Sequence, residues 1–206
     1  MSEIYTIGYS GFDIESFIST LKKYNINSLI DVRSNPHSKI YLDYNKEVLS
    51  KVLNRNKIYY RNYVKEFGAR QLDTKYYTNG YLNFSLFTQS EQFREGMRKI
   101  LNSIPLGYTF VLMCSEKDPI SCHRNIMVAR EFYKNGIEIK NILSDGSILT
   151  QQEIEKRLVD MYFPNRDQLS FFETPPSWNE MVRQAYKYQN EKIGYRPNAE
   201  EDVGDE

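Results

Sequence analysis

Eleven consecutive residues, Cys114-Ser115-Glu116-Lys117-Asp118-Pro119-Ile120-Ser121-Cys122-His123-Arg124, hold both cysteines of the chain, one of its two histidines, an arginine and two carboxylates. A thiolate is a strong nucleophile and a good metal ligand. An imidazole or a carboxylate can move a proton, and a guanidinium grips an anion through paired hydrogen bonds. The run starts where a strand pattern ends and finishes where a helix pattern begins. A helix start has free backbone N–H groups and the positive end of the helix dipole, which favour an anion or a thiolate. Cys114, Glu116, Cys122 and His123 are therefore the candidate catalytic groups, and Arg124 a candidate anion holder. Taken singly, each thiol reads as a small core residue, because free cysteine is among the most buried residue types, and His123 reads as a capping residue. The clustering is what points to a site.

The order strand, cysteine, loop, arginine, helix has the logic of rhodanese and cysteine-phosphatase sites. The nine residues between Cys114 and Arg124 make a longer loop than those tight cradles. A metal is not expected. Cys114, Cys122 and His123 offer three soft ligands, a structural zinc site takes four at tighter spacing, and His37 would have to come from another loop. Neither metal nor cofactor is expected.

Three further segments can supply an anion site. In Asp31-Val32-Arg33-Ser34-Asn35-Pro36-His37-Ser38-Lys39, Arg33, Ser38 and Lys39 are donors, and Asp31 is a natural ion-pair partner for Arg33. In Gly8-Tyr9-Ser10-Gly11, glycines allow close backbone approach. Glu66-Phe67-Gly68-Ala69-Arg70 presents Arg70.

These segments, with Tyr5-Thr6-Ile7 before the first, Leu112-Met113 before Cys114, and Asp145-Gly146 downstream, resemble the DUF488 family in order and spacing over about residues 3–160. The Cys-x-Glu followed by Cys-His-Arg is the specific part. The resemblance implies an α/β fold and a shared site at Cys114, Glu116, Cys122, His123 and Arg124; it implies no particular reaction. Many members of that family carry histidine where Tyr9 stands, and another near Gln151. Their absence here also argues against a metal.

Positioning these loops requires alternating strands and helices. Ile4–Ile7, Ser28–Val32, Ile58–Tyr60, Thr109–Met113 and Ile137–Leu143 read as strands. Between them, helical periodicity places Ile14, Phe17, Ile18 and Leu21 on one face, Val48, Leu49, Val52 and Leu53 on a second, and Phe93, Met97, Ile100 and Leu101 on a third. A further helix is expected over 121–135. Thr150-Gln151-Gln152-Glu153 is a capping box that opens a helix ending before Pro164, and 178–189 can form a last one. Residues 62–88 read as a long irregular connection. The alternation predicts an α/β fold, a mostly parallel sheet with helices on both faces, plus a C-terminal helical extension. The expected organisation is a domain over 1–163, the extension over 164–197 and an acidic tail over 198–206. Ligands bind at the C-terminal ends of such strands, where the loops after the first, second and fourth strands meet.

Hydrophobic residues are 40% of the chain and charged residues 26%, enough apolar content for a core and too much for wholesale disorder. Zero net charge excludes a whole-chain basic footprint for nucleic acid. Yet residues 33–99 hold thirteen Lys/Arg against six Asp/Glu, interleaved with Tyr59, Tyr60, Tyr63, Tyr76, Tyr77 and Tyr81. This is a basic face for an anion, or a nucleic-acid platform on which bases stack, or simply solvated helix surface with half-buried rings. No apolar run reaches bilayer length, so no membrane partner is expected. Two cysteines make no disulfide framework and the first residues run straight into a strand, which together favour a reducing cytoplasm. The expected function is an enzyme with a Cys/His/Glu/Arg site acting on a small anionic substrate, phosphorylated or nucleotide-like. The alternative is a nucleotide or nucleic-acid binding module without catalysis.

Overall fold

The two faces of the sheet can be read from the period-two alternation of its strands. In the computed structural model, which describes residues 2–166 and 176–197, Phe110, Leu112 and Cys114 of one central strand face one hydrophobic core, and Val111 and Met113 face the other. The chain order is β1 (Glu3–Gly8), α1 (Ile14–Lys23), β2 (Ser28–Asp31), α2 (Lys46–Arg55), β3 (Tyr59–Asn62), a short α3 (Val64–Phe67), a hairpin of β4 (Tyr77–Thr78) and β5 (Tyr81–Leu82), a short α4 (Phe84–Phe87), α5 (Glu91–Ser103) and β6 (Phe110–Cys114). A π-helical segment, Arg124–Ala129, then leads into α6 (Arg130–Lys134), followed by β7 (Glu138–Ile142), β8 (Ile148–Thr150), α7 (Gln151–Tyr162) and α8 (Trp178–Ile193).

The main sheet has the order β3-β2-β6-β1-β7-β8. Every pairing is parallel except β7 with β8. The expected α/β architecture is therefore present, with an antiparallel edge that the sequence reading missed. Ile148–Thr150 is three residues long and abuts the α7 capping box, so its strand character is masked by a stronger helix signal. Helices α1 and α2 cover one face with Phe17, Ile18, Leu21, Leu49 and Leu53. Helices α5, α6, α7 and α8 cover the other, with Phe93, Ile100, Phe132, Leu158 and Tyr186 among the buried residues.

Three local expectations are corrected. Val48 is exposed rather than inward; the buried stripe of α2 is the narrower pair Leu49 and Leu53. Residues 62–88 are not irregular throughout, since they hold α3, the hairpin and α4. The hairpin turns on Asn79-Gly80, both at positive φ (52° and 77°), a dipeptide favoured for tight turns that the irregular reading overlooked. The helix expected from Ser121 starts later. Pro119–Ser121 form a 3-10 turn and Cys122 is extended (φ −129°, ψ 135°), so Cys122 precedes the helix rather than lying in its first turn.

Helix α8 is seated on the core through Met181, Ala185 and Tyr186. A chain of buried side chains ties it to the sheet. Gln151 Nε2 donates to Tyr186 Oη (2.8 Å), Asn125 Nδ2 donates to Gln151 Oε1 (3.0 Å) and to Asn141 Oδ1 (2.7 Å), and Thr6 Oγ1 donates to Asn141 Oδ1 (2.8 Å). The acidic tail expected over 198–206, and Pro175 of the expected linker, lie outside the described residues. Among the described residues, no helix is long and apolar enough to cross a membrane.

Candidate active site

Strands β1, β2 and β6 run in the same direction and end together, with Gly8 opposite Cys114 and Asp31 opposite Met113. The connection leaving β1 runs to β2 on the far side of β6, and the one leaving β6 runs to β7 on the far side of β1. Opposed crossovers of this kind open a crevice at the strand ends. Gly8 lets the β6 loop close over β1, since a Cβ built there would lie 1.9 Å from the Glu116 carbonyl oxygen. The loop is pinned from beneath by Arg124, fully buried, whose Nη1 donates to that same carbonyl (2.5 Å) and whose Nη2 donates to Lys117 O (3.4 Å).

The result is a compact cluster. One ligating atom from each of Cys114, Glu116, Cys122 and His123 lies within 4.8 Å of all the others. The Cys122 thiol donates to Glu116 Oε2 at 2.8 Å, and Cys114 Sγ sits 3.9 Å from His123 Nδ1. His123 Nε2 is 2.8 Å from the Val32 carbonyl oxygen. A carbonyl only accepts, so Nε2 carries a proton and Nδ1 faces the sulfurs. Both cysteines are free and buried. Burial opposes charge throughout the cluster, but the neighbours decide its distribution. The Cys122 thiol, against burial, is brought down to about 6 by the hydrogen bond from Cys114 and the charge of Arg124. Burial and the Cys122 and Glu116 charges push Cys114 up. Glu116, which burial alone would raise, is held at about 2 by the His123 charge and the thiol hydrogen bonds. His123 rises above its ordinary value, despite burial, through Cys122 and Glu116.

Cys114, Glu116 and His123 open onto a cavity of about 400 Å³ that Tyr9, Arg33, Ser38 and Arg70 also line. Asp31 does not reach the cavity wall. It is buried and holds Arg33, accepting from the Arg33 backbone N–H (3.1 Å), from Nε (2.9 Å) and from Nη2 (2.6 Å), while Tyr60 Oη donates to its Oδ2 (2.7 Å). Arg33 Nη1 is buried and has no hydrogen-bond partner among the described residues. The guanidinium lies 5.2 Å from the Tyr9 ring centroid, and Tyr9 in turn stacks on Tyr44 at 4.3 Å.

The remaining sequence candidates fall in three groups. Ser38 and Arg70 line the cavity, but the Ser38 hydroxyl accepts from the Ile40 and Tyr41 N–H groups as a loop cap, and Arg70 is exposed with its guanidinium 5.0 Å from the Tyr195 ring centroid. Gly8 and Ser10 act through the backbone, Ser10 N donating to Ser115 O. Arg124 lies beneath the cluster, outside the cavity lining, and its Nη donors go to the loop carbonyls. Sequence reasoning missed Tyr195. It reaches the cavity from beyond α8, where the Leu82 N–H donates to its carbonyl (2.9 Å), a placement that no local pattern announces. His37, the histidine of the other loop, faces Glu47 (3.1 Å). The tyrosines between 59 and 81 do not form one platform: Tyr60 is bonded to Asp31, Tyr63 stacks on Phe67, Tyr81 is buried and Tyr59 is exposed.

The model of the family described as a domain of unknown function, DUF488, matches residues 13–130. The chain belongs to the DUF488 family. The matched span holds the whole sulfur cluster together with Arg33 and Arg70, whereas Gly8, Tyr9 and Ser10 and the α7–α8 region lie outside it. No curated protein and no solved structure matches the chain.

Proposed function

We propose that this DUF488 chain is an enzyme that binds a small anionic substrate, phosphorylated or nucleotide-like, on Arg33 and acts on it with the Cys114–Glu116–Cys122–His123 cluster, by group transfer or hydrolysis. The observation that carries this reading is the buried Nη1 of Arg33, which has no acceptor among the described residues, on a side chain that lines the same cavity as Cys114, Glu116 and His123. A buried guanidinium donor left without an acceptor costs folding free energy. An anionic ligand accepting from it removes that cost and stands beside sulfur, imidazole and carboxylate. The Asp31 fork and the Tyr60 hydroxyl hold the guanidinium in place before any ligand arrives, so little ordering is left for binding. The alternative, a nucleotide or nucleic-acid module without catalysis, has less behind it because the tyrosines are dispersed.

The test uses the reduced full-length chain with a chelator present. Alkylation of its thiols by iodoacetamide is followed with and without inorganic phosphate or a nucleoside monophosphate. Either anion should slow alkylation, and Arg33→Gln should weaken that protection roughly tenfold or more, the worth of one charge-assisted hydrogen bond. Alkylation indifferent to both anions, or protection that survives Arg33→Gln, rejects the reading.

A further inference from the structure

The structure assigns a metal site to the cluster: we propose that Cys114 Sγ, Cys122 Sγ, His123 Nδ1 and a Glu116 carboxylate oxygen bind one divalent transition-metal ion of the zinc class. The sequence points away from a metal because it offers only three soft ligands in the loop and places His37 in another. The fold supplies the fourth from within the same loop, as Glu116.

Four observations carry the assignment. First, the donor atoms converge within 4.8 Å of one another. Bonds of about 2.3 Å to sulfur and about 2.0 Å to nitrogen and oxygen put the corners of a tetrahedral site on the order of 3.3–3.8 Å apart. Each donor therefore needs to move by about an ångström or less. The Cys122–Glu116 contact of 2.8 Å, now bridged by the thiol proton, opens when that proton leaves. Second, two sulfurs, an imidazole and a carboxylate are a donor set that zinc-class ions prefer over magnesium or calcium, which take oxygen.

Third, the His123 ring is already oriented as a ligand. Its Nε2–H donates to the Val32 carbonyl (2.8 Å) and its Nδ1 faces the sulfurs. A hydrogen bond from the far ring nitrogen to a carbonyl is the outer-shell arrangement that metal-bound histidines use. Fourth, the charges close. Two thiolates, a carboxylate and a divalent ion sum to one negative charge, and Arg124 is fully buried directly under the loop with its Nε lacking any partner among the described residues.

Both sulfurs bind as thiolates and His123 binds through the Nδ1 lone pair, so the protons these atoms carry pass to the buffer as the ion enters. Cys114 and Cys122 are buried, whereas Glu116 is exposed as a residue. The carboxylate is therefore the ligand on the solvent side, and the one a substrate group or water can displace, the open position that catalytic sites keep. An ion there would stand beside an anion on Arg33 as a Lewis acid. The inference deepens the proposed function and rests on the same cavity, but metal binding is read without substrate and anion protection without metal, so either can fail alone.

The deciding experiment is a cobalt titration of the reduced, chelator-treated and desalted full-length chain. Thiolate-to-cobalt charge-transfer absorption and intense tetrahedral visible bands should rise together, saturate at one Co2+ per chain and bleach when Zn2+ is added. Cys122→Ser and Cys114→Ser should each lose much of the charge-transfer intensity. Glu116→Gln, at an exposed position that does not threaten folding, should keep both sulfur ligands and weaken Zn2+ binding roughly tenfold to a hundredfold, as losses around metal sites do. His37→Ala should leave the spectrum unchanged. Weak octahedral bands only, full charge-transfer intensity in a folded Cys122→Ser chain, Zn2+ affinity untouched by Glu116→Gln, or a spectrum lost in His37→Ala would each overturn the assignment.

Discussion

At the scale of single residues, the site depends on two arginines with opposite roles. Arg33 is only 4% exposed and is held by the fully buried Asp31, but it lines the cavity and its Nη1 has no acceptor among the described residues. Arg124 is fully buried and directs its Nη donors to the Glu116 and Lys117 carbonyls. The sequence treats them alike, since both are arginines beside a candidate ligand. Only the direction in which each side chain leaves the backbone separates an arginine that lines the cavity from one that supports the loop. Asp31→Asn removes the charge that compensates buried Arg33. The variant is expected to lose about 3–5 kcal/mol of stability, the usual cost of removing one partner of a buried ion pair, and to bind phosphate more weakly. Denaturant unfolding reads the first effect and calorimetry the second. An unchanged unfolding midpoint would mean that Asp31 is not the group holding the arginine.

At the scale of elements, the cluster exists because the β6 loop lies directly on the end of β1. Gly8 is what permits it: the Glu116 carbonyl occupies the space that a Cβ would need. Gly8→Ala must displace backbone, which does not yield as a side-chain tip would. A loss of roughly 1–3 kcal/mol or more is expected from such overpacking, together with weaker cobalt charge-transfer absorption, because Cys114 and Glu116 move with the loop. Stability and spectrum both at wild-type levels would show that the loop can settle elsewhere. The segment following the loop is π-helical over Arg124–Ala129, a wide turn often found at functional sites. The sequence shows ordinary helical periodicity there, which cannot distinguish a hydrogen bond that spans one residue more. Extended Cys122 enters the site from before this segment.

At the scale of the whole molecule, the region beyond residue 163 is part of what holds the site. Tyr186 is 1% exposed and receives a hydrogen bond from Gln151, Gln189 Nε2 donates to the Ile120 carbonyl inside the cluster loop (2.5 Å), and Asn190 Nδ2 donates to Leu82 O (2.9 Å). A chain stopped at residue 163 would uncover the Pro119–Ser121 turn and the Arg124–Ala129 segment, including buried Ile126, which α8 now packs against. It is expected to lose cooperative unfolding and to collect in the insoluble fraction, a result read by circular dichroism and by sedimentation after expression. A soluble chain with full wild-type stability would make α8 an independent appendage. The sequence by itself determined the α/β alternation and the family, and singled out the loop that carries both cysteines, because hydrophobic period, turn residues and short motifs are local quantities that survive without coordinates. Only the tertiary structure decided that Glu116 rather than His37 completes the sulfur cluster, that Arg33 rather than Arg124 faces the cavity, and that Tyr195 reaches it from beyond the last helix. Each of these depends on where a side chain points after strands distant in the chain have paired, and pairing distance leaves no periodic trace in the order of residues.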